Sequence, residues 1–222
     1  MGVVIGLTGG IASGKSTLAA ALRRRGVAYL SVDAAAHALY RPGRPAHRAI
    51  VRAFGRGVLR PGGAVDRTAL GRAVFASPAA LRRLEAILHP ALRRGIPAAI
   101  RRCRRRRGVT VVEAGPLLGR LGLVRRVDLV VRTVCPGPER LRRLRATRGL
   151  GAAAARARLR ALAPAERSLA RSLAGARRVI TVDTSGPRGP ARYALRTRGG
   201  RPWKGTPTAV ATAILREIRR GR

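Results

Sequence analysis

The chain has 222 residues, which is enough for one well-buried α/β domain with modest insertions or for two very small domains. Hydrophobic residues make up 46% and aromatic residues only 3%, so the core must be built from Ala, Val, Leu and Ile, and disorder along the whole length is excluded. Lysine and arginine number 48 against 9 acidic residues, and the resulting formal charge of +39 attracts polyanions of any kind.

The positive charge is almost entirely arginine, because Lys15 and Lys204 are the two lysines of the chain. The densest block covers residues 101–107 and is predicted to end a helix, where cations complement the helix dipole. It contains no aromatic residues on which bases could stack. Nucleic-acid binding through net charge stays open but is not favoured, since an excess of Ala, Arg and Gly is also typical of a coding bias.

Membrane and export signals are not expected. The uncharged stretch at residues 1–14 has no basic segment before it, and no apolar run reaches the roughly 18 residues of a membrane-spanning helix. Cys103 and Cys135 form neither a CxxC pair nor a metal-spaced set. A reduced, cytoplasmic protein without membrane partners is therefore predicted.

The pattern of residues 3–33 predicts a strand–helix–strand unit. A strand is expected over residues 3–8, a helix over 15–25 ending near Gly26, and a strand over 27–32 ending at Asp33. These lengths suit a right-handed βαβ unit.

The remaining chain alternates helices and strands. Asp66 and Ser77 are expected to cap two helices, over residues 66–75 and 77–88, and a basic helix follows from Pro90 with a kink or break at Pro97. The later elements are strands over residues 110–113, 127–134 and 179–182, and helices over 138–148, 152–173 and 206–219. A flexible loop is expected over residues 186–205. The order predicts a three-layer α/β fold with a parallel sheet, whose ligands bind at the carboxyl ends of the strands.

Residues 9–16 match the phosphate-binding pattern G-x-x-x-x-G-K-[ST] in full, between an apolar strand and a helix. Backbone N–H groups and the helix N-terminus can surround a phosphate there. Lys15 is expected to reach the β- and γ-phosphates, and Ser16 to ligate Mg²⁺. A lysine in an arginine-rich chain suggests a steric requirement for a narrow ammonium. The predicted ATP-binding residues of this P-loop are Gly10, Ile11, Ala12, Ser13, Gly14, Lys15, Ser16 and Thr17.

Asp33 is the acidic residue at the end of the second predicted strand. Beside a P-loop it can act as a base for an acceptor hydroxyl, or hold Mg²⁺ through water. It can equally be the N-cap of a helix that begins near Ala34. Its position alone leaves both interpretations open.

Several blocks together resemble the dephospho-CoA kinase family. They are residues 7–17, Phe54-Gly55, Val65-Asp66-Arg67 with Leu70, the run Leu84-Glu85-Ala86-Ile87-Leu88-His89-Pro90, and residues 112–118. The blocks occur in the family's order over about residues 3–135, and the Asp-Arg-x-x-Leu block followed by Leu-Glu-x-Ile-x-His-Pro is the specific part.

The resemblance implies an ATP-dependent, Mg²⁺-requiring kinase that phosphorylates the ribose 3′-hydroxyl of dephospho-CoA to give coenzyme A. It places the catalytic aspartate on Asp33 and puts Arg67 and His89-Pro90 near the acceptor. It also implies a single domain with a core of residues 1–33, 108–134 and 177–222, a helical substrate-binding insert over 34–100, and an Arg-rich helical lid over 137–176. Within that lid, Arg143 and Arg148 are expected to bind ATP.

Some positions depart from the family pattern. Ser31 stands where a further aspartate is usual, Gly119-Arg120 stand where an acidic residue is usual, and the lid motif Gln-x-x-Arg-Leu is echoed by Arg140 and Arg143-Leu144. Two other functions remain open: a P-loop kinase for another small acceptor such as a nucleotide or shikimate, and a basic nucleic-acid-binding protein on a P-loop scaffold.

Overall fold

The structure is a computed structural model that describes residues 1–185, 193–196 and 203–220. The strands are β1 Val3–Gly9, β2 Ala28–Ser31, β3 Val109–Glu113, β4 Leu129–Val134, β5 Val179–Asp183, β6 Tyr193–Arg196 and β7 Trp203–Gly205. The helices are α1 Lys15–Arg23, α2 Val32–Leu39, α3 Pro45–Phe54, α4 Arg67–Phe75, α5 Pro78–Arg105, α6 Leu117–Arg120, α7 Gly137–Arg148, α8 Ala152–Ser172 and α9 Pro207–Arg220.

The chain divides into two compact units, residues 1–30 with 99–222 and residues 31–98. The first unit holds a sheet whose strand order is β2-β3-β1-β4-β5-β6-β7. Strand β1 is parallel to β3 and β4, and β4 is parallel to β5, so the predicted parallel sheet is confirmed.

Two antiparallel strands, β6 and β7, extend the β5 edge of this sheet. The expected loop over residues 186–205 was therefore wrong at Tyr193–Arg196 and Trp203–Gly205. The short β6 segment, Tyr-Ala-Leu-Arg, lies between runs of Gly, Pro and Arg, which are typical of a loop. Its backbone hydrogen bonds come from pairing with β5, and a local sequence pattern does not predict such pairing. The rest of the expected loop lies outside the described residues.

Helices cover both faces of the sheet. On one face, Ile5 and Leu7 of β1 pack in a cluster with Leu18 and Leu22 of α1 and with Ile214 of α9, all at most 1% exposed. On the other face, a Cβ at Gly6 would lie 3.0 Å from Leu118 of α6, and α6 in turn packs on α8. The three-layer arrangement predicted from the sequence is confirmed.

The second unit is helical, with α2, α3, α4 and most of α5. The predicted caps are confirmed: Asp66 accepts from the N–H of Thr68 at 2.8 Å, and Ser77 Oγ accepts from the N–H of Ala80 at 3.1 Å. Of the kink or break expected at Pro97, the break was wrong, and so was the boundary expected between residues 88 and 90, because α5 runs without interruption through Pro90 and Pro97. A stripe spaced by four residues remains buried along this helix, and its burial outweighs the loss of one hydrogen bond at each proline; the stripe is Leu88, Leu92, Ile96 and Ile100.

Within residues 1–185, 193–196 and 203–220, no helix combines the length and the apolar character needed to cross a membrane.

Candidate functional site

The loop between β1 and α1 has a backbone that the glycine pattern requires. Gly9 has φ 143°, and a Cβ there would lie 2.3 Å from Thr133 Oγ1. Gly14 is the N-cap of α1 with φ 82° and ψ 10°. Ala12 also has a positive φ, 58°, which an L-residue rarely adopts. The loop is therefore held in a strained turn that ends at a helix N-terminus, the geometry that suits a bound phosphate.

Three successive carbonyls of this turn accept hydrogen bonds from cationic side chains. Lys15 Nζ donates to the Gly10 carbonyl at 2.6 Å, and Arg140 Nε donates to the Ile11 carbonyl at 2.8 Å. Arg143 Nη1 donates to the Ala12 carbonyl at 3.4 Å. The positive charge expected at this loop is thus present, and the cations also fix its conformation.

The base of the loop rests on hydroxyl groups that the sequence did not single out. Ser13 is 1% exposed, and its Oγ lies 2.7 Å from Thr133 Oγ1. Thr133 Oγ1 donates to the Thr8 carbonyl at 3.2 Å, and Thr184 Oγ1 donates to the Ser13 carbonyl at 3.0 Å. Thr8, Thr133 and Thr184 lie at or just after the carboxyl ends of β1, β4 and β5, and that shared position was the available signal.

Ser16 and Thr17 follow Lys15 in the first turn of α1 and are exposed. A serine hydroxyl is a hard oxygen ligand of the kind that Mg²⁺ accepts. Among the described residues, no three His, Cys, Asp or Glu side chains come together as a metal cage. The Ser16 hydroxyl is therefore a donor that could join the shell of a Mg²⁺ ion bound to nucleotide phosphates.

Arg143 of α7 connects the loop to the end of β5. Besides the Ala12 carbonyl, its guanidinium donates to Thr184 Oγ1 at 3.1 Å and to the Thr184 carbonyl at 2.6 Å, and its Nε donates to Glu139 at 2.8 Å. Arg148 is the last residue of α7, and its side chain lies outside the described part of the chain.

A second arginine of α7 takes part in the site, although the sequence reasoning did not place it there. Arg140 pairs with Glu166 of α8 through two hydrogen bonds, 2.9 Å and 2.5 Å long. Its Nε reaches Ile11 at the same time. The signal was weak, because Arg140 stands at the glutamine position of the lid motif and Glu166 is one acidic residue in an Arg-rich helix.

In the second unit, Asp33 is the second residue of α2 and is exposed. The N-cap of this helix is Ser31, whose Oγ accepts from the N–H of Ala34 at 3.1 Å. The interpretation of Asp33 as the cap was therefore wrong. The serine that departs from the family pattern performs the capping, and the Asp33 carboxylate is left facing solvent.

His37 and Arg67 lie near Asp33, as neighbours within the same unit. Arg67 Nη1 lies 3.4 Å from His37 Nδ1, and the His37 ring packs edge-on against Tyr40 with centroids 5.6 Å apart. Burial lowers the pKa of His37 from its ordinary value and the Arg67 charge lowers it further, while the Asp33 charge opposes both. Burial raises the pKa of Tyr40. No motif of the sequence singled out His37, so this grouping was not predicted.

His89 and Pro90, expected near the acceptor, lie within α5. His89 is half-buried and Pro90 is exposed. Of the predicted acceptor residues, the structure groups Asp33 and Arg67 around His37.

Comparison with known proteins gives a consistent set of relatives. The family model for dephospho-CoA kinase matches residues 3–184. The dephospho-CoA kinase of Anaeromyxobacter dehalogenans is 48% identical over 76% of this chain and 80% of its own length. That of Geobacter sulfurreducens is 44% identical over 82% of this chain and 90% of its own length.

Two solved structures share the fold. The protein TT1252 of Thermus thermophilus is 33% identical, with a TM-score of 0.59 over 83% of this chain and 90% of its own. The dephospho-CoA kinase of Campylobacter jejuni is 22% identical, with a TM-score of 0.61 over 100% of this chain and 99% of its own.

Proposed function

Because the chain belongs to the dephospho-CoA kinase family, we propose that it transfers the γ-phosphoryl group of ATP to the ribose 3′-hydroxyl of dephospho-CoA and so forms coenzyme A. The observation that supports this best is the phosphate loop, whose strained turn carries Lys15, Arg140 and Arg143 on three successive carbonyls. A kinase for another small acceptor would share that loop, so the acceptor is inferred from the family.

The first unit supplies the nucleotide site of this proposal. The turn of residues 10–14 and the N-terminus of α1 bind the phosphates of ATP, together with Lys15, Ser16 and Thr17. Ser16 would hold a Mg²⁺ ion bound together with ATP, and that ion would neutralise phosphate charge. Arg143 and Arg148 of α7 add cationic charge toward the transferring group.

The second unit supplies the acceptor groups. Asp33 accepts the proton of the 3′-hydroxyl as that oxygen bonds to the γ-phosphorus, and the bond from this phosphorus to the β–γ bridging oxygen breaks to release ADP. Its exposed carboxylate at the start of α2 is consistent with that role. Arg67, with His89 and Pro90, orients the acceptor. The division of the chain into core, insert over residues 34–100 and lid over 137–176 also remains a prediction.

One assay decides between acceptors. The chain is incubated with ATP, Mg²⁺ and either dephospho-CoA, adenosine, AMP or shikimate, ADP release is followed, and the products are identified by mass. We expect a kcat/KM for dephospho-CoA well above that for AMP, because binding of the remote pantetheine and diphosphate aligns the 3′-hydroxyl. Equal or greater activity with AMP, adenosine or shikimate would contradict the assignment, and Lys15→Ala serves as the inactive control.

A further inference from the structure

We propose that Arg140 is a positioning residue of the nucleotide site and that Glu166 orients it. Together they hold the phosphate loop at Gly10 and Ile11 in the conformation that binds ATP. This inference rests on the proposed function only for the identity of the nucleotide. It assigns a role to an ion pair between α7 and α8 that lies outside the phosphate-binding pattern of residues 9–16.

All the nitrogens of the Arg140 guanidinium are used. Nε donates to the Ile11 carbonyl at 2.8 Å, while Nη1 and Nη2 donate to the two carboxylate oxygens of Glu166 at 2.9 Å and 2.5 Å. The side chains of Arg140 and Glu166 are 14% and 22% exposed, so the pair is largely screened from water. A planar guanidinium fixed along one edge by a carboxylate can present Nε in one direction only, and that direction is the loop.

The pair also lies directly against Gly10. A Cβ at Gly10 would be 2.5 Å from Glu166 Oε1 and 2.6 Å from Arg140 Nη2. Glycine at this position therefore lets the ion pair approach the backbone closely. The same turn contains Ala12 with its positive φ of 58°, a conformation that needs support from its surroundings.

Electrostatic repulsion and positioning give opposite predictions for what happens to ATP binding when the Glu166 carboxylate is removed. A carboxylate beside a phosphate-binding loop repels ATP, so a simple field effect predicts that removing it strengthens ATP binding. If Glu166 acts by orienting Arg140, removing it weakens ATP binding, although the loop then carries one more net positive charge. The sign of the change therefore separates positioning from electrostatic attraction.

The test measures dissociation constants for ATP and ADP by calorimetry, without turnover, on the wild type and the variants Glu166→Gln, Arg140→Gln and Arg140→Lys. We expect weaker ATP binding by about three- to tenfold for Glu166→Gln, of the order of the net contribution of one ordinary hydrogen bond. Arg140→Lys should be as weak as Arg140→Gln, because an ammonium keeps the charge but cannot make the fork. Tighter ATP binding in Glu166→Gln, or full rescue by Lys at position 140, would overturn the proposal.

Arg142→Gln is the matched control, because Arg142 lies on the same helix and pairs with Glu139, as Arg143 does. This substitution removes one arginine charge and leaves the bonds between Arg140 and the loop in place. It should leave ATP binding nearly unchanged; a loss equal to that of Arg140→Gln would also count against the proposal. In the double variant Arg140→Gln with Glu166→Gln, the Glu166 effect should disappear, since Glu166 acts through Arg140.

Binding of dephospho-CoA is measured on the same preparations and should be unaffected by either substitution. A wild type that binds ATP but neither binds nor phosphorylates dephospho-CoA would remove the proposed function and leave the Arg140 inference standing. If Glu166→Gln does not fold, as judged by thermal unfolding, the comparison of Lys with Gln at position 140 decides the question.

Discussion

Asp33 is the proposed general base, and the structure allows that role to be tested separately from helix capping. Since Ser31 caps α2, Asp33→Asn removes the negative charge without removing the cap. Asn keeps the shape but cannot accept the hydroxyl proton, and a positioned base contributes about 10²- to 10⁴-fold to turnover. We expect a folded variant that binds ATP and loses kcat on that scale. Thermal unfolding and nucleotide binding on the same preparation guard against a folding defect, and near wild-type kcat would remove Asp33 from the mechanism.

Ser31 provides the matched control for that experiment. Ser31→Ala removes the cap and should lower the free energy of unfolding by about 1 kcal/mol while sparing turnover. A larger loss of kcat in Ser31→Ala than in Asp33→Asn would reverse the assignment of the two residues.

Lys15 tests whether the loop needs a narrow cation. Its Nζ lies 2.6 Å from the Gly10 carbonyl, and its Cε lies 3.8 Å from the position of a Cβ on Gly115. A guanidinium is a wide planar fork, so an arginine cannot place a single compact cation at this point of the loop as the lysine ammonium does. Lys15→Arg should therefore abolish turnover as Lys15→Ala does, despite the retained charge. Measurable kcat in the arginine variant would refute the steric argument.

His37 should make stability depend on pH. Its pKa is lowered in the folded chain, first by burial and then by Arg67, so the unfolded chain binds the proton more readily. Its contribution to stability is therefore fully present above about pH 6.5, the unfolded value, and is lost as pH falls through the folded value. The Tm advantage of the wild type over His37→Gln should shrink between pH 7.5 and about pH 5. A constant difference across that range would contradict the lowered pKa of His37.

At the residue scale the sequence predicted the phosphate loop but not the distant side chains that contact it. The pattern of residues 9–16 specifies backbone geometry, which is local, and so it could be read from the chain alone. The partners Thr133, Arg140 and Glu166 are more than 100 residues away in sequence, with separations of 120 from Ser13 to Thr133 and 129 from Ile11 to Arg140. Such contacts depend on the register of the sheet and on the placement of α7 and α8, which no local pattern contains.

Among the helices, α1 and α9 pack against each other and share the main apolar cluster of the sheet. Ile214 of α9 is fully buried in the cluster that includes Leu18 and Leu22 of α1. Ile214→Ala should lower the free energy of unfolding by about 2–5 kcal/mol, through lost burial and the cavity that remains. The exposed Arg216→Ala on the same helix is the control and should change stability by less than about 0.5 kcal/mol. Chemical denaturation measures both; equal effects would mean that α9 is not a core element.

The elements that the sequence predicted well are those with strong local periodicity or caps. Asp66 and Ser77 begin their helices as expected, and the valine-rich strands β3 and β4 follow the predicted order. Long-range packing decided the exceptions. Strand β6 depends on pairing with β5, and α5 continues through Pro97 because its apolar stripe stays buried.

Close packing between helices also explains one departure from the family pattern. A Cβ at Gly119 of α6 would lie 2.8 Å from Ser172 Oγ and 3.3 Å from the Leu169 Cα of α8. A larger acidic side chain at this position would separate α6 from α8. Glycine at position 119 is thus a packing requirement of this chain.

For the molecule as a whole, the charge of +39 has a consequence for stability whatever its biological origin. Asp128, Glu139, Glu166 and Glu217 each pair with arginine, yet arginines vastly outnumber the acidic residues. A compact chain with such an excess of one sign is destabilised by self-repulsion. Salt should therefore stabilise this protein, whereas it weakens proteins whose surface ion pairs dominate.

Raising NaCl from about 0.01 M to about 0.1 M shortens the screening length from about 30 Å to about 10 Å, and the repulsion between arginines on different elements falls accordingly. We expect Tm to rise, by roughly 2–4 °C for each 1 kcal/mol of repulsion that is screened in a chain of this length. Anions could also stabilise the fold by binding in the phosphate loop, so the same titration is run on Lys15→Ala. An equal rise in both proteins assigns the effect to the whole charge distribution, because the variant lacks the Lys15 ammonium that an anion in the loop would contact. A rise that disappears in Lys15→Ala would assign it to the phosphate loop, and a fall in Tm with salt would show that the ion pairs outweigh the repulsion.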